Sequence, residues 1–504
     1  DAVTVSSGDT LDLNGQRAEF SNTCHINGGA MDLDGMIVMT GGGILDDDGS
    51  ESNAASLTYI QQGTATGADL PPNVGTYLYN QPSVSQTTGK AATTHIIGAG
   101  TQVFGGSPTP TDVTIATGAT GTLTDNTLTV AGDFTTSGGL LGASCLDLTG
   151  SSSEYAYNGG TTWGIGDDWT IDFWFKTSTD ADMTLLDFHD GSSNNNRIFI
   201  ETVAASNEVK VTAYTSGASS VGFDTDKITV NPFDGKWHHL AVTGTTSAMQ
   251  IYYDGRLANA AAGVDRASNP TMRLLLGKTN GATNYFTGQI DELRMWNTVR
   301  TITQIRTDMF QGGTLSTADY LQARYSFDEG TGSDVDNSDN SGASRDLTLN
   351  DAGGLETSGL WAGAGTFTYG TSTLVMSKSG TQTFSFVGGM DINNLTVNDG
   401  STTTLKCPAD SGGRLDIYGN LTVNEVLNNT NNEQIRMFTG GQTIAVASDT
   451  RTTALASLYK INMEHTSGTT NIPELTAARI SCNGNGGTTT ATGDLTVSTK
   501  LEAD

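Results

Sequence analysis

Two acidic loops supply the oxygen ligands that a hard cation needs. Asp334–Asp339 reads DVDNSD, and Asp187–Asn196 reads DFHDGSSNNN. Carboxylate and amide oxygens are the ligands that Ca²⁺ prefers. The first loop matches the EF-hand pattern only in part, so an ordinary solvated acidic loop is the alternative. The sequence predicts a Ca²⁺ site with ligands among Asp334, Asp336, Asn337, Asp339, Asp187 and Asp190.

Aromatic and amide side chains that could bind a sugar lie at expected strand ends and loops. Sugar faces stack on aromatic rings, and amides form hydrogen bonds to hydroxyl groups. The candidates are Tyr155, Tyr157, Trp163, Asn284 and Tyr285. The alternative for each of them is a packed residue at the end of a strand.

Two adjacent pairs, Asp291-Glu292 and His238-His239, are the nearest approach to a catalytic constellation. Adjacent residues on a strand point to opposite faces, so neither pair addresses one substrate. We expect the Asp-Glu pair to be structural, and one histidine to be packed while the other is exposed. The chain also has no G-x-S-x-G, Gly-rich phosphate loop or H-E-x-x-H motif. We predict that the protein is not an enzyme.

The elements around these residues read as short strands. Leu240–Thr243 and Met249–Tyr253 alternate in polarity, and the turn residues Asp254-Gly255 follow, which predicts an antiparallel hairpin. Along Trp169–Phe175 aromatic side chains alternate with Thr170, Asp172 and Trp174, so one set should face inward between two sheets and the other set outward. Only Thr301–Phe310 has the period of a helix.

Several ordered motifs in this region resemble one family. They are CLDLTGSSSEYAY at 145–157, DWTIDFWFK at 168–176, WHHLAVT at 237–243, IYYDGRL at 251–257, LLLG at 274–277, FTGQIDELRMWNTVR at 286–300 and LQARYSFDEGTG at 321–332. In this order they resemble the laminin-G-like, pentraxin-related family with a concanavalin A-type jelly roll. The resemblance implies a β-sandwich with Ca²⁺ in its rim loops. Glycosidases of this fold carry a pattern like E-x-D-x-x-E on one strand, which is absent here.

The segments on either side are polar and repetitive. L-T-V strands recur in Gly121–Thr135, Asn394–Leu405, Gly419–Val423 and Gly493–Val497. Such strands suit a β-solenoid whose coils bury inward Leu and Val, and small antiparallel sandwiches are the alternative. The flanks also resemble segments of phage structural proteins and bacterial surface proteins.

The expected fold is all-β, with a jelly roll at 140–355 between scaffold segments at 1–139 and 356–504. Because similar repeats precede and follow it, the jelly roll could be an insertion into one continuous flank domain.

The charge of the chain limits its partners. Its 504 residues carry a formal net charge of -30, which disfavours nucleic acid and anionic membrane. Four cysteines lack zinc-binding spacing; Cys407–Cys482 is the best candidate disulfide, and free buried thiols are the alternative. The chain shows no membrane-spanning run and no leader at Asp1, so we expect a removed leader or release of a virion by lysis.

These features favour a non-enzymatic protein of a virion or cell surface that displays a glycan-binding jelly roll. A phage decoration or fibre protein is the first context, and a bacterial surface adhesin is the second. Expected partners are glycans, other copies of the chain, and capsid or surface proteins. The same features also suit a purely structural assembly protein, or an accessory module of a polysaccharide-degrading enzyme.

Overall fold

Short strands follow one another along nearly the whole described chain, as the composition predicts. The computed structural model describes residues 3–27, 29–40, 45–47, 50–52, 56–62, 74–88, 92–123, 126–150, 154–192, 194–217, 219–266, 271–281, 283–312, 315, 320–330, 332–337, 345–350, 365–407, 413–429, 433–438, 443–446, 460–463, 469–472, 475–482, 488–491 and 495–503. Asp1–Ala143 and Gly363–Asp504 together form one unit, and Ser144–Ala362 forms another. We call them the scaffold unit and the jelly-roll unit.

The first part of the scaffold unit contains β1 Val3–Ser6, β2 Thr10–Asp12, β3 Arg17–Phe20, β4 Cys24–Asn27, β5 Ala30–Asp32, β6 Met36–Met39, β7 Leu45–Asp47, β8 Ser50–Ser52, β9 Thr58–Gln61, β10 Val74–Thr88, β11 Ala92–Phe104, β12 Asp112–Ala116, β13 Thr120–Leu123, β14 Thr127–Val130 and β15 Phe134–Gly138. The jelly-roll unit contains β16 Leu146–Thr149, β17 Tyr155–Thr162, β18 Trp169–Lys176, β19 Met183–His189, β20 Ile198–Val203, β21 Glu208–Tyr214, β22 Ser220–Asp224, β23 Trp237–Gly244, β24 Ala248–Tyr253, β25 Arg256–Ala262, β26 Thr271–Leu276, β27 Thr287–Trp296, α1 Ile302–Asp308, β28 Leu321–Tyr325, β29 Asp334–Val335 and β30 Leu347–Asn350. The second part of the scaffold unit contains β31 Thr366–Thr368, β32 Thr373–Met376, β33 Gly380–Ser385, β34 Gly389–Ile392, β35 Asn394–Val397, β36 Ser401–Lys406, β37 Arg414–Ile417, β38 Leu421–Val423, β39 Val426–Asn429, β40 Gln434–Met437, β41 Ile444–Val446, β42 Lys460–Met463, β43 Thr469–Ile472, β44 Leu475–Cys482, β45 Thr488–Ala491 and β46 Leu495–Ala503.

The scaffold unit is β-solenoid-like. Its described strand pairs are parallel, and β32, β33 and β34 each pair with the strand three places later in the chain. Three short strands therefore make one coil, and each coil adds one rung to three sheets. In such a ladder the apolar side chains of each coil are buried in part by the neighbouring coils. This arrangement confirms the solenoid-like interpretation of the flanks.

The L-T-V repeats form a ladder of stacked leucines. Leu128 pairs with Leu374, Leu374 with Leu395, and Leu395 with Leu421, all in register. These leucines are buried, with at most 1% exposure. The L-T-V at Leu495–Val497 instead lies in β46, which pairs with β44 in another sheet.

The two flanks meet inside the scaffold unit. Strands β13, β14 and β15 from before the jelly roll pair with β31, β32 and β33 from after it. The Gly365 N–H also donates to the Thr136 carbonyl oxygen at 2.9 Å. The two flanking segments thus form one unit, which is the contact that the insertion hypothesis requires.

A buried histidine interrupts the apolar interior of the scaffold unit. His95 is fully buried, and its Nε2 lies 2.8 Å from the Gln102 side-chain oxygen. Its ring packs 4.9 Å from that of Tyr77 and 5.2 Å from that of Phe104. Burial lowers the pKa of His95 to about 4, although the bond to Gln102 opposes this.

The jelly-roll unit is a sandwich of two antiparallel sheets. One sheet has the order β16-β27-β18-β23-β24-β25 with β28 on β27, and the other has the order β22-β21-β20-β19-β26-β17-β30-β29. We call them the seven-stranded and eight-stranded sheets. Their facing sides enclose one apolar core. The structure thereby confirms the all-β sandwich expected for this region.

Local sequence signals hold at the turn and at the helix. Asp254 and Gly255 have φ values of 48° and 69° between β24 and β25, as a tight hairpin requires. Thr301 caps α1 in a capping box with Gln304.

No helix in the described ranges is long and apolar enough to cross a bilayer. Among the described residues the four cysteines form no disulfide, so the candidate bond Cys407–Cys482 is not formed.

Candidate functional site

The outer face of the seven-stranded sheet is covered by the segment that contains α1. Trp174 Nε1 donates to the Met309 carbonyl oxygen at 2.6 Å, and the Trp174 ring lies 5.1 Å from that of Phe310. Ile305 of α1 packs on Tyr252 and Ala241. The Trp174 set faces outward, away from the core between the sheets, as expected, and a later segment covers it.

The acid and histidine pairs of this sheet are engaged in structural bonds. Both Glu292 carboxylate oxygens accept from Arg324, at 2.7 and 3.0 Å, and the Glu292 N–H donates to Asp291 Oδ1 at 2.9 Å. Glu292 has a φ of 49° at a register shift opposite β18, so a bulge sets its direction. The Asp-Glu pair is structural, as predicted.

Both histidines of the pair are buried, so the expectation of one exposed histidine is wrong. His238 lies between Asp254 and Asp234, with nitrogen–oxygen distances of 2.9 and 3.0 Å. Burial alone would lower the pKa of His238, but the two carboxylates raise it to about 9. His239 Nε2 lies 3.5 Å from Asp172, which also binds Arg294 at 2.7 Å.

The outer face of the eight-stranded sheet carries aromatic and polar side chains instead. Strand register places Tyr157 opposite Leu275, Leu275 opposite Asp187, and Asp187 opposite Phe199. Their chain neighbours, such as Ala156 and Phe188, belong to the apolar core. This alternation gives the sheet one apolar inner face and one polar, aromatic outer face.

Three of the predicted sugar-contacting residues lie close to one amine on this face. The Tyr155 and Tyr157 rings are 5.5 Å apart, and Lys278 Nζ lies 3.5 Å from the Tyr155 ring centroid. Burial lowers the pKa of Lys278, while the nearby Tyr285 hydroxyl raises it. Tyr155, Tyr157 and Tyr285 are half-buried, so each ring still reaches solvent. We call Tyr155, Tyr157, Lys278 and Tyr285 the tyrosine cluster.

The other two predicted contacts, Trp163 and Asn284, differ in exposure. Trp163 is fully buried, donates from Nε1 to the Met272 carbonyl oxygen at 2.9 Å, and packs its ring 5.4 Å from that of Phe188. A ring buried in this way cannot stack on a sugar, so the prediction for Trp163 is wrong. Asn284 is exposed, has a φ of 54°, and accepts the Thr184 N–H through its carbonyl oxygen at 2.8 Å. Its side chain remains available.

Asp187 and Asp190 of the second acidic loop are already engaged by donors of the protein. Asp187 is fully buried and binds Arg197 through both oxygens, at 2.7 and 2.8 Å. It also accepts the Asn280 N–H at 2.8 Å. Asp190 accepts from the Ser192 N–H and the Asn196 amide, both at 3.0 Å. The prediction for Asp187 is wrong, because its charge is neutralised by an arginine.

The first acidic loop fits a cation only in part. Asp334 and Asp336 are exposed on either side of buried Val335, whereas the Asn337 amide oxygen already accepts the Arg324 N–H at 3.0 Å. Asp339 lies outside the described residues. A neighbour that sequence reasoning missed is Glu329, whose Oε1 accepts the Asp336 N–H at 3.0 Å. Ca²⁺ binding by this loop stays a prediction.

A separate carboxylate group lies in the scaffold unit. Within the described ranges, Asp12, Asp32 and Asp34 alone bring three carboxylates within 4.8 Å of one another. Asp12 and Asp34 accept the N–H groups of Asn14 and Gly15, so the cluster also serves a turn.

Sequence reasoning missed the cations beside the tyrosine cluster. Arg273 is exposed and stands opposite buried His189 across the pairing of β19 and β26. Arg197 directly precedes β20, which pairs with β19. Its Cζ lies 4.3 Å from the centroid of the Phe199 ring. Arg273 and Lys278 flank the run LLLG in the sequence. Both cations lie near the tyrosines because β26 pairs with β17, and the sequence alone does not show that pairing.

Comparison with known proteins supports the architecture. Residues 149–306 match the family model of the concanavalin A-like lectin/glucanases superfamily. No curated protein matches the chain. A solved protein of Bacteroides ovatus, named as a candidate carbohydrate-binding protein, is 14% identical, with 41% of this chain and 59% of that chain covered and a TM-score of 0.30. The chain thus spans about three fifths of that protein's length.

Two further solved structures are similar over the same fold. The heptameric SAP-like pentraxin of Limulus polyphemus is 12% identical, with 34% of this chain and 83% of that chain covered and a TM-score of 0.28. The CBM40 of a Ruminococcus gnavus IT-sialidase, solved with α2,6-sialyllactose, is 12% identical, with 33% and 96% covered and a TM-score of 0.26. The family match alone identifies residues 149–306 as a laminin-G-like segment of the concanavalin A-like superfamily.

Proposed function

We propose that the jelly-roll unit binds a glycan on the outer face of its eight-stranded sheet, and that the scaffold unit carries it on a virion or cell surface. The observation that carries the proposal is the contrast between the two outer faces. The segment around α1 covers one of them. The other presents the tyrosine cluster at half-buried positions, with the ring and amine chemistry that sugars need.

Binding without catalysis is part of this proposal. In the described part of the jelly-roll unit, three buried carboxylates of the two sheets are held by arginines: Asp172 by Arg294, Glu292 by Arg324, and Asp187 by Arg197. A carboxylate held in this way is a poor nucleophile or proton carrier, because its charge is already stabilised. We expect no release of reducing sugar from polysaccharides.

The scaffold supports a role in assembly. Its ladder of parallel coils is a regular, extended arrangement suited to a fibre or a lattice. We propose other copies of the chain and capsid or surface proteins as its partners, with a phage decoration or fibre protein as the first context and a bacterial adhesin as the second. Imaging of the native particle or cell surface would distinguish a fibre or lattice of virions from isolated projections on cells.

The glycan proposal is tested with a double variant, Tyr155→Ala/Tyr157→Ala. Stacking on one aromatic ring contributes about 1 kcal/mol, so loss of both rings should weaken binding at least tenfold on a glycan array. The matched control is Tyr320→Ala, which removes a tyrosine that is 55% exposed and belongs to the same unit.

Binding that is equal in the double variant and the control would reject this face as the site. Absence of binding to every glycan by the unaltered chain would favour the purely structural alternative.

A further inference from the structure

Arg273 is an unneutralised cation in an acidic protein. The chain has 24 Lys and Arg residues against 54 Asp and Glu residues. Within the described ranges these arginines form ion pairs with carboxylates: Arg17, Arg197, Arg294, Arg300, Arg324, Arg414 and Arg436. Arg273, by contrast, is exposed and has no carboxylate partner among the residues that the structure describes. Its charge is therefore available to a ligand.

The Arg273 side chain lies beside two glycines. A Cβ added at Gly160 would lie 3.5 Å from the Arg273 Cγ, and one added at Gly191 would lie 3.7 Å from its Cζ. The side chain thus extends along the backbone of the β17 bulge towards the turn after β19. The Arg273 side chain therefore lies between the tyrosine cluster and His189, its register partner on the neighbouring strand β19.

His189 offers a buried donor that lacks an acceptor. The residue is fully buried, and its Nδ1 accepts the Gly191 N–H at 3.0 Å. The proton of the neutral ring is then on Nε2, and this atom has no hydrogen-bond partner among the described residues. A buried donor without an acceptor is costly, and a ligand oxygen would satisfy it.

Two arginines and two carboxylates act on His189. Burial and the neighbouring Arg197 and Arg273 lower the pKa of His189, while Asp187 and Asp190 raise it. Asp187 is neutralised by Arg197, and Asp190 is held by the Ser192 N–H and the Asn196 amide. Lys278, above the Tyr155 ring, likewise has no carboxylate partner in the part of the chain that is described. Arg273 and Lys278 thus supply two cations on either side of Leu275.

We propose that the glycan bound on this face is anionic, and that its carboxylate or sulfate group is held by Arg273 with His189 Nε2 as an additional donor. The sugar ring next to that group would lie on the tyrosine cluster. A planar guanidinium suits the paired oxygens of either anion. This inference rests on the proposed function and specifies its ligand class.

The experiment compares acidic polysaccharides with neutral products of the same backbone. The probes are polygalacturonate and its carboxyl-reduced product, heparin and its desulfated product, and laminarin as a neutral glucan. The full chain should bind at least one acidic probe, lose that binding when the acid is removed, and bind more weakly as salt rises. The two acidic probes distinguish a carboxylate from a sulfate.

Arg273→Gln should weaken binding to the acidic probe about tenfold, because a charge-assisted hydrogen bond is lost. Arg273→Lys should retain part of the affinity. The matched control is Arg256→Gln, which removes an exposed arginine from the seven-stranded sheet and should leave binding unchanged.

Two outcomes separate the inference from the proposed function. Equal binding to acidic and neutral probes, with loss in Tyr155→Ala/Tyr157→Ala but not in Arg273→Gln, overturns the anionic ligand and leaves glycan binding intact. No binding to any probe overturns both. Equal weakening of neutral and acidic binding by Arg273→Gln also contradicts a role for Arg273 in recognising charge.

Discussion

Single residues show why residue type alone did not identify the site. Tyr155 and Trp163 are both aromatic residues beside one strand, yet Tyr155 reaches solvent and Trp163 is in the core. Between them, β17 shifts register from Asn158 to Thr161. A bulge moves later side chains to the other face, so alternation counted from Tyr155 fails at Trp163. Asp187 likewise looks like a cation ligand until Arg197, which strand pairing places beside it, is known.

The carboxylates of the first acidic loop lead to a prediction about Ca²⁺ binding. Asp334 and Asp336 lie on the exposed side of β29, and the Glu329 carboxylate binds the Asp336 N–H. Burial and the nearby Asp328 and Asp336 raise the pKa of Glu329 to about 7, so negative charge is concentrated here. A cation would relieve that repulsion. Calorimetric titration should therefore give a heat with Ca²⁺ that is reduced in Asp334→Ala/Asp336→Ala.

A second variant, Asp12→Ala/Asp34→Ala, removes the separate carboxylate group of the scaffold unit and shows whether that group contributes to the heat. Equal heats in the unaltered chain and the Asp334→Ala/Asp336→Ala variant would eliminate the loop as a binding site.

Elements were predicted well where the signal is local. The hairpin at Asp254-Gly255 and the helix after Thr301 follow from turn and cap residues within a few positions. The burial of β18 on both faces could not be predicted in this way. It depends on the segment that contains α1, which lies more than a hundred residues later and covers Trp174 only in the folded unit. The L-T-V pattern identified inward leucines but did not assign each copy to a sheet.

The leucine ladder makes a prediction about single rungs. Leu395 is fully buried between Leu374 and Leu421. Leu395→Ala should lower the free energy of unfolding of the scaffold unit by about 2–5 kcal/mol, because it leaves a cavity. The neighbouring Thr396→Ala, at a half-buried position on the opposite face, should cost less than about 1 kcal/mol. Equal thermal shifts in scanning calorimetry would show that the rung is not packed as described.

The whole molecule contains two units whose stability should respond oppositely to pH. His95 in the scaffold unit has a folded-state pKa of about 4, below the usual value of about 6.5. Between these values only the unfolded chain binds the proton, so scaffold stability falls as pH drops through this window. His238 in the jelly-roll unit has a folded-state pKa of about 9. Its contribution is complete below about pH 6.5 and is lost as pH rises through 9.

Scanning calorimetry of single variants tests this difference. His95→Gln should flatten the decrease in stability of the scaffold unit at acid pH. His95 contributes at most about 3 kcal/mol to that decrease in the free energy of unfolding. His238→Gln should flatten the alkaline side of the jelly-roll transition. Each variant is the control for the other, because they lie in different units. Both variants changing the same transition would contradict the assignment.

The insertion topology could be predicted because similar repeats precede and follow the jelly roll. The register of the strands could not be predicted in the same way. The rung at Thr373–Met376 reads TLVM rather than L-T-V, although it pairs with β14. Parallel pairing needs inward apolar side chains at matching positions, and several sequences satisfy that condition.

The hydrogen bond between Gly365 and Thr136 has a consequence for how this architecture could evolve. The coil leaves and rejoins the solenoid at almost the same point, so the ladder of rungs does not depend on what the intervening excursion Ser144–Ala362 contains. Recombination at this one site can exchange the inserted unit as a cassette. A lineage could then replace that unit while the rungs of the scaffold unit stay the same.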